Sequence, residues 1–203
     1  MAPVSLPFTE VYEALERGTL DCALVVMRQA ESGGLIPLAK HWTFDTTESA
    51  FKGYIPIAFS LQRWEGLPLA AQQLLHDRLD VWIENYARGL WEGSQAALVE
   101  LAGIGGGINE YDAAARQALH AFNAAALDQL RTGTTSGDDG ELVDRFGTNY
   151  ASWTGIVGDL GYTEVTAADF AGWYAEDAID MAPFMARLRA DVLDPHRPGP
   201  APE

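Results

Sequence analysis

The most constraining feature of this sequence is one long helical pattern between Pro68 and Ala102. Apolar residues recur there at helical spacing, while most charged residues fall on the other side of the helical wheel. Pro68 suits the first turn of a helix. A helix of this length would span about 50 Å, which is long for so small a domain. We expect Gly89 and Gly93 to bend or interrupt it.

The first third of the chain contains the only strand signals. Thr9–Arg17 predicts a short helix that Thr9 caps and Gly18 ends. The apolar run that follows predicts a strand over Leu20–Met27, buried on both faces. Gln29–His41 predicts a helix or turn broken by Gly33, Gly34 and Pro37. Gly53–Leu61 predicts a second strand, which Pro56 places at a sheet edge or bulge.

The remainder of the chain is predicted to be helical. Gly103–Gly107 ends the long helix, and a further helix runs from Asn109 or Asp112 to about Leu130. Glu141–Leu160 predicts another, despite its glycines. Thr166 and Asp169 form a capping box for a last helix that reaches Val192. The fold class is therefore α/β and helix-rich. We divide the chain into residues 1–102, a partial ligand-binding lobe with the long helix, residues 103–194, a helical region, and residues 195–203, a disordered tail.

Charge and composition exclude several functions. The 29 acidic residues outnumber the 13 Lys and Arg, so the net charge is −16. This balance argues against nucleic-acid binding and against docking on an anionic membrane. No apolar run approaches the roughly 20 residues of a membrane span. The single Cys22 excludes an internal disulfide. The N-terminus as written has no basic start and no apolar core, so we expect no signal peptide in this chain.

The sequence predicts no catalytic or metal site. Its four histidines show no metal-ligand spacing, and no G-x-S-x-G motif occurs. Cys22 lies in an apolar run, where a thiol stays neutral and unreactive. We therefore expect neither an enzyme nor a cofactor. Four aromatic residues near the predicted strands mark where a ligand cleft could form, namely Trp42, Phe51, Tyr54 and Trp64.

One segment carries a family resemblance. Residues 7–22 read PFTEVYEALERGTLDC, and residues 64–72 read WEGLPLAAQ. Together with the long helix, they resemble the solute-binding proteins of TRAP transporters, the DctP-like family. The resemblance implies a lobe of a two-lobed periplasmic-binding-protein fold and a role in carboxylate uptake. It also implies an organic-acid ligand, a membrane permease as partner and a periplasmic location.

The resemblance also suggests ligand-binding residues. Phe8 matches a residue that lines the family's pocket, Val25 matches a ligand position at a strand end, and Lys52 lies where the family often supplies a contact. Arg28 is a candidate from its own chemistry, because an arginine can clamp a carboxylate bidentately. In the family, the strand with the main arginine precedes the 7–22 segment. We therefore expect this chain to represent the second lobe and to bind carboxylates weakly by itself.

A helical interaction or assembly module without ligand binding is the alternative. An isolated lobe would expose its former cleft, and exposed apolar surface favours association. The long helix could also pair between two copies in a homodimer.

Overall fold

The computed structural model describes residues 2–44, 57–133, 139–175 and 178–200. Helices dominate these ranges, and they are joined by one small parallel sheet. The helices are α1 (Phe8–Glu16), α2 (Met27–Ser32), α3 (Leu61–Glu65), α4 (Leu69–His76), α5 (Leu79–Gly103), α6 (Ala113–Thr132), α7 (Asp139–Asp159), α8 (Ala167–Trp173) and α9 (Ala182–Leu188). The strands are β1 (His41–Thr43) and β2 (Gly107–Asn109). A helix-rich fold with a small sheet was predicted, and it is observed.

The central core forms where α1 and α2 meet the C-terminal half of α5. Its buried members are Val11, Ala30, Leu35, Ile36, Ala97 and Leu101. Ile36 belongs to a short 3-10 turn, Ile36–Leu38, which connects α2 to β1. Apolar burial of this kind is the main source of folding free energy. α1, α2 and this 3-10 turn thus pack around the C-terminal half of α5.

β1 precedes α5 in the sequence and β2 follows it, and the two strands pair in parallel. His41 is opposite Gly107, Trp42 opposite Ile108, and Thr43 opposite Asn109. A tight turn delivers β2 to this position: Gly105 adopts a φ of +70°, and the N–H of Gly106 donates to the Leu101 carbonyl at 2.8 Å. The glycine-rich segment was predicted to end the long helix, and it does.

The long helical pattern is interrupted, but not at its glycines. α4 ends at His76 and α5 begins at Leu79, while Gly89 and Gly93 remain inside α5. The C-terminal segment lies against the interruption. Arg189 donates to the Asp77 carbonyl at 2.8 Å and to the Asp80 carboxylate at 2.7 Å.

The predicted strand over Leu20–Met27 is wrong. Residues 20–26 form neither helix nor strand, Met27 begins α2, and the side chain of Leu24 is 70% exposed. Among the described residues no other strand pairs with this segment, and a strand requires a partner for its backbone groups. In the second predicted strand, residues 53–56 lie outside the described residues, residues 57–60 are irregular, and Leu61 begins α3.

The C-terminal helices follow the predicted caps more closely. Asp112 accepts from the Ala115 N–H at 2.7 Å and thereby caps α6. Thr166 accepts from the Asp169 N–H, as the capping box requires. The last helix was expected to continue to Val192, which is wrong. It ends at Trp173, and α9 begins at Ala182 with Pro183 in its first turn, where the missing N–H of a proline costs no helical hydrogen bond.

Beyond α9, a π-helical turn (Arg189–Leu193) and a 3-10 turn (Asp194–His196) continue the chain. Arg197 donates to both carboxylate oxygens of Asp77, at 2.7 and 2.8 Å, and Gln73 donates to the Pro198 carbonyl at 2.9 Å. These bonds hold residues 197 and 198, whereas a loose tail was expected from Pro195. The three domain boundaries themselves stay a prediction.

Candidate functional site

Phe8 is the first residue of α1 and covers the end of α2. Its side chain is 42% exposed. A Cβ added to Gly33 would lie 2.8 Å from the Phe8 Cζ atom, so the ring rests directly on that glycine. Tyr12, one turn further along α1, approaches Gly34 in the same way, at 3.7 Å. The aromatic side chains of α1, Phe8 and Tyr12, therefore pack against Gly33 and Gly34.

Val25 and Arg28 flank the start of α2. Val25 is half-buried and packs against the central core. Arg28 is exposed, and its aliphatic stem crosses α5 at Gly89 and Gly93, which carry no side chain. A Cβ on Gly93 would lie 2.7 Å from the Arg28 Cγ, and one on Gly89 would lie 4.0 Å from its Nη2. The Arg28 side chain makes no hydrogen bond or ion pair with another described residue. Its guanidinium group is therefore available to an anion.

The structure does not gather the predicted ligand residues around one cavity. Phe8 contacts the C-terminal end of α2 and Arg28 extends from its N-terminal turn, and six helical residues rise about 9 Å. Phe8, Val25 and Arg28 line neither of the two large apolar cavities described below. Lys52 lies outside the described residues.

One of these cavities, the aromatic groove, lies beside the α4–α5 interruption. It has a volume of about 750 Å³ and is lined by Phe59, Trp64, His76, Arg78 and Trp82, together with aliphatic residues of the same segments. Phe59 and Trp64 pack with their ring centroids 5.2 Å apart. A cleft of this size with a few polar groups in an apolar lining suits a small organic ligand.

Two polar groups distinguish the aromatic groove. The Nδ1 of His76 is buried without a hydrogen bond and lies 3.8 Å from the nearest Asp77 carboxylate oxygen. Arg78 is exposed and makes no ion pair with a described residue. The aromatic groove therefore offers cationic or hydrogen-bonding groups beside an apolar wall. This combination fits an acid with an apolar body.

The second cavity, of about 780 Å³, lies between α5 and the C-terminal helices. Its lining includes Trp91, Tyr162, Phe170, Asp180 and Phe184. Tyr162 donates its hydroxyl proton to the Asp180 carbonyl at 2.6 Å. Its lining includes no Lys, Arg or His, so the aromatic groove is the better match for an anion.

Two carboxylates near the aromatic groove are held by arginines. The side-chain hydrogen bonds from Arg197 hold the pKa of Asp77 below its ordinary value of 3.8. Desolvation raises the pKa of Asp80, but the hydrogen bond from Arg189, with backbone donors, outweighs it and lowers the net pKa. Both carboxylates therefore stay ionised, and each is paired with an arginine.

The described residues contain no group of three or more His, Cys, Asp or Glu side chains that could hold a metal ion. Cys22, which was expected to be buried within a strand, is exposed. Within the described ranges, no helix is long and apolar enough to cross a membrane.

Sequence reasoning found part of the aromatic groove. Trp64 was named as a marker of a ligand cleft, and it lines the aromatic groove. Trp42, named with it, instead joins β1 and donates its indole N–H to the Ala39 carbonyl at 2.8 Å. Phe51 and Tyr54 lie outside the described residues. His76 and Arg78 were missed, because nothing in the sequence marked the helix interruption that positions them.

A comparison with family models identifies the class of this protein. Residues 1–132 match the model described as "Bacterial extracellular solute-binding protein, family 7", the DctP family. The match covers well over half of the chain, so the chain belongs to this family, and the predicted resemblance is confirmed. Its members are periplasmic solute-binding proteins of TRAP systems and are generally not enzymes. No curated protein and no solved structure gave a significant match.

Proposed function

We propose that this protein is the solute-binding component of a TRAP-type transporter and captures an organic acid for a membrane permease. The observation that carries the proposal is the family match over residues 1–132, which includes the 7–22 segment. In this role the protein acts in the periplasm, performs no chemistry, and contributes these residues as the second lobe of a two-lobed clamp. Closure of such a clamp is driven by the ligand's higher affinity for the closed state.

Arg28 is the proposed anion contact. Its stem is held against α5 by the close approach at Gly93, and its guanidinium has no acidic partner among the described residues. A fixed stem reduces the entropy that is lost when the head binds a ligand. The planar head can then donate two parallel hydrogen bonds to a carboxylate. Phe8, Val25 and Lys52 are also proposed contacts, because the family resemblance places them at ligand-binding positions.

The test is equilibrium dialysis of the protein encoded by the complete gene, with a panel of monocarboxylates, dicarboxylates and their neutral amides. We expect at least one carboxylate to bind while its amide does not. Arg28→Met keeps most of the apolar stem but removes the charge, so we expect affinity to fall at least about 10-fold. Arg145→Met changes an exposed arginine of α7 and serves as the control.

The possible results separate the two parts of the proposal. If no carboxylate in the panel binds, the uptake role is wrong. If a carboxylate binds equally well to the Arg28→Met protein, the role stands and the assignment of Arg28 is wrong.

The alternative function is a helical interaction module that has lost ligand binding. It is favoured by the exposed apolar side chains of α6 and α7, which include Phe122 and Phe146, each 70% exposed. A particle mass that corresponds to a dimer and is insensitive to carboxylates, together with no binding in dialysis, would support it.

A further inference from the structure

The aromatic groove differs from the rest of the surface in its charge. Eight of its ten lining residues are apolar, and the other two are His76 and Arg78. Among the described residues that line it there is no Asp or Glu, although the whole chain has 29 acidic residues against 13 Lys and Arg. A groove whose polar lining is basic, in so acidic a chain, favours an anionic ligand.

Arg78 is the cation that such a ligand can reach. Seven of the eleven arginines form an ion pair with a described carboxylate. Arg78 is exposed and forms none with a described residue. The carboxylates on either side of it in the sequence, Asp77 and Asp80, are paired with Arg197 and Arg189 instead. A ligand carboxylate therefore reaches Arg78 without displacing any of these ion pairs.

His76 gives a second reason to expect a ligand here. Its side chain lines the aromatic groove and is 11% exposed. Its Nδ1 is buried without a hydrogen bond to a described residue, at 3.8 Å from the nearest Asp77 carboxylate oxygen. Because a buried polar atom without a partner is unfavourable, a ligand with a polar group beside this ring is favoured over a purely apolar one.

Aromatic rings make up much of the apolar wall. Phe59 and Trp64 pack with tilted rings, their centroids 5.2 Å apart. Phe59 and Trp82 remain 51 and 39% exposed. Since aromatic rings attract one another in stacked or edge-on arrangements, beyond the effect of the area that they bury, an aryl ligand gains more here than an alkyl chain. The volume of about 750 Å³ is within the range of small-molecule sites, about 300–1,000 Å³.

The aromatic groove is separate from the proposed anion contact at Arg28. The Arg28 Nη2 lies 4.0 Å from the position of a Cβ built on Gly89. Gly89 is ten residues after Leu79, the first residue of α5, which corresponds to a rise of about 15 Å. Arg78 immediately precedes Leu79, so the two arginines are too far apart to hold the same carboxylate group.

We propose that the aromatic groove is a second ligand site, which binds aryl monocarboxylates such as arylacetates. Arg78 donates two parallel hydrogen bonds to the carboxylate, and the ring of the ligand packs among Phe59, Trp64 and Trp82. One available guanidinium matches one carboxylate, whereas a second carboxylate would have to enter the apolar wall, which is costly. The site therefore discriminates against dicarboxylates and against neutral amides. This inference does not depend on the proposed uptake role, because none of its residues is a proposed uptake contact.

The experiment is isothermal titration calorimetry of the complete protein with phenylacetate and indole-3-acetate. Phenylacetamide, acetate and succinate are titrated for comparison, and we expect each to bind at least about 10-fold more weakly than the aryl acids. Arg78→Met removes the charge but keeps most of the stem, so the affinity for aryl acids should fall at least about 10-fold. Arg63→Met is the matched control, since Arg63 is an exposed arginine of the neighbouring α3 that does not line the groove.

The indole N–H signals in nitrogen–proton correlation spectra show where the acid binds. Each of the six tryptophans gives one signal, which single replacements by phenylalanine assign. Phenylacetate should shift the signals of Trp64 and Trp82, which line the aromatic groove, but not those of Trp91 and Trp173, which line the second cavity. Arg28→Met removes the proposed uptake contact and should leave these shifts unchanged, so the two sites can fail independently.

Four results would overturn the proposal. The first is the absence of aryl-acid binding even at millimolar concentration. The second is a shift of the Trp91 and Trp173 signals alone, which would place the acid in the second cavity. The third is binding that survives Arg78→Met, which would assign the acid to another site. The fourth is an equal affinity for phenylacetate and cyclohexylacetate, which would show that the groove does not select an aryl body.

Discussion

Two glycines of α5 provide a sharp test of how α2 packs on the long helix. Both lie in the helix interior and both face Arg28. A Cβ on Gly89 would meet only the Arg28 Nη2 at 4.0 Å, an ordinary contact. A Cβ on Gly93 would lie 2.7 Å from the Arg28 Cγ and 3.2 Å from its Cβ. The same substitution in the same helix therefore meets two different environments.

The expected changes in the free energy of unfolding have opposite signs. Replacing a glycine inside a helix by alanine stabilises by about 0.5–1 kcal/mol, because the unfolded chain loses freedom. Gly89→Ala should show this gain in full. Gly93→Ala should lose it to overpacking, which costs about 1–3 kcal/mol, because the Arg28 Cβ is fixed by the backbone of α2. We expect a net destabilisation of up to about 2 kcal/mol.

The assay is urea denaturation followed by far-ultraviolet circular dichroism, which reports the helix content. A double-mutant cycle assigns the cause. Arg28→Ala removes the Cγ and Cδ atoms, so Gly93→Ala should cost less in that background than in the wild type. If Gly93→Ala stabilises as much as Gly89→Ala, or if its cost does not depend on Arg28, the close approach of α2 to α5 is wrong.

Two further predictions concern the β1–β2 sheet and the ion pair between Arg197 and Asp77. Gly106→Ala should destabilise by about 1–3 kcal/mol in urea denaturation, because its Cβ would lie 2.8 Å from the Lys40 carbonyl oxygen, whereas Gly107→Ala, in open space, should have little steric effect. Arg197→Ala should lower stability most above pH about 5. Since the folded pKa of Asp77 is depressed, its contribution disappears as the pH falls from 3.8 through the folded pKa, so wild type and variant should converge in acid; a constant difference would contradict the pair.

The caps of the C-terminal helices were predictable, whereas Thr9, which was expected to cap α1, lies inside a helix that begins at Phe8 and has no side-chain cap. The Asp112 and Thr166 caps depend on contacts within three residues, and local sequence suffices to recognise them. The interruption between α4 and α5 was not predictable in this way. Arg189 and Arg197 bind the residues at this interruption from more than a hundred residues away in sequence. The spacing of apolar residues within one helix cannot indicate such distant partners.

The strands failed for a different reason. An apolar run such as Leu20–Met27 satisfies the pattern of a buried strand, but the pattern does not specify a pairing partner. The observed strands have three residues each, and their register depends on the turn at Gly105 and Gly106. Three residues give too short a pattern to recognise. The aromatic groove was predicted only in part. Trp64 was named because it lies near the predicted strands, whereas His76 and Arg78 are placed by tertiary contacts.

The structure also divides the 7–22 segment into residues that packing explains and residues that it does not. Val11 is buried in the central core, and Phe8 and Tyr12 rest on the glycine pair that ends α2. Residues 21–24 are different, since they are exposed and Leu24 is 70% accessible. Packing therefore explains the helical part of the segment, Phe8 to Glu16, but not its exposed end at residues 21 and 22.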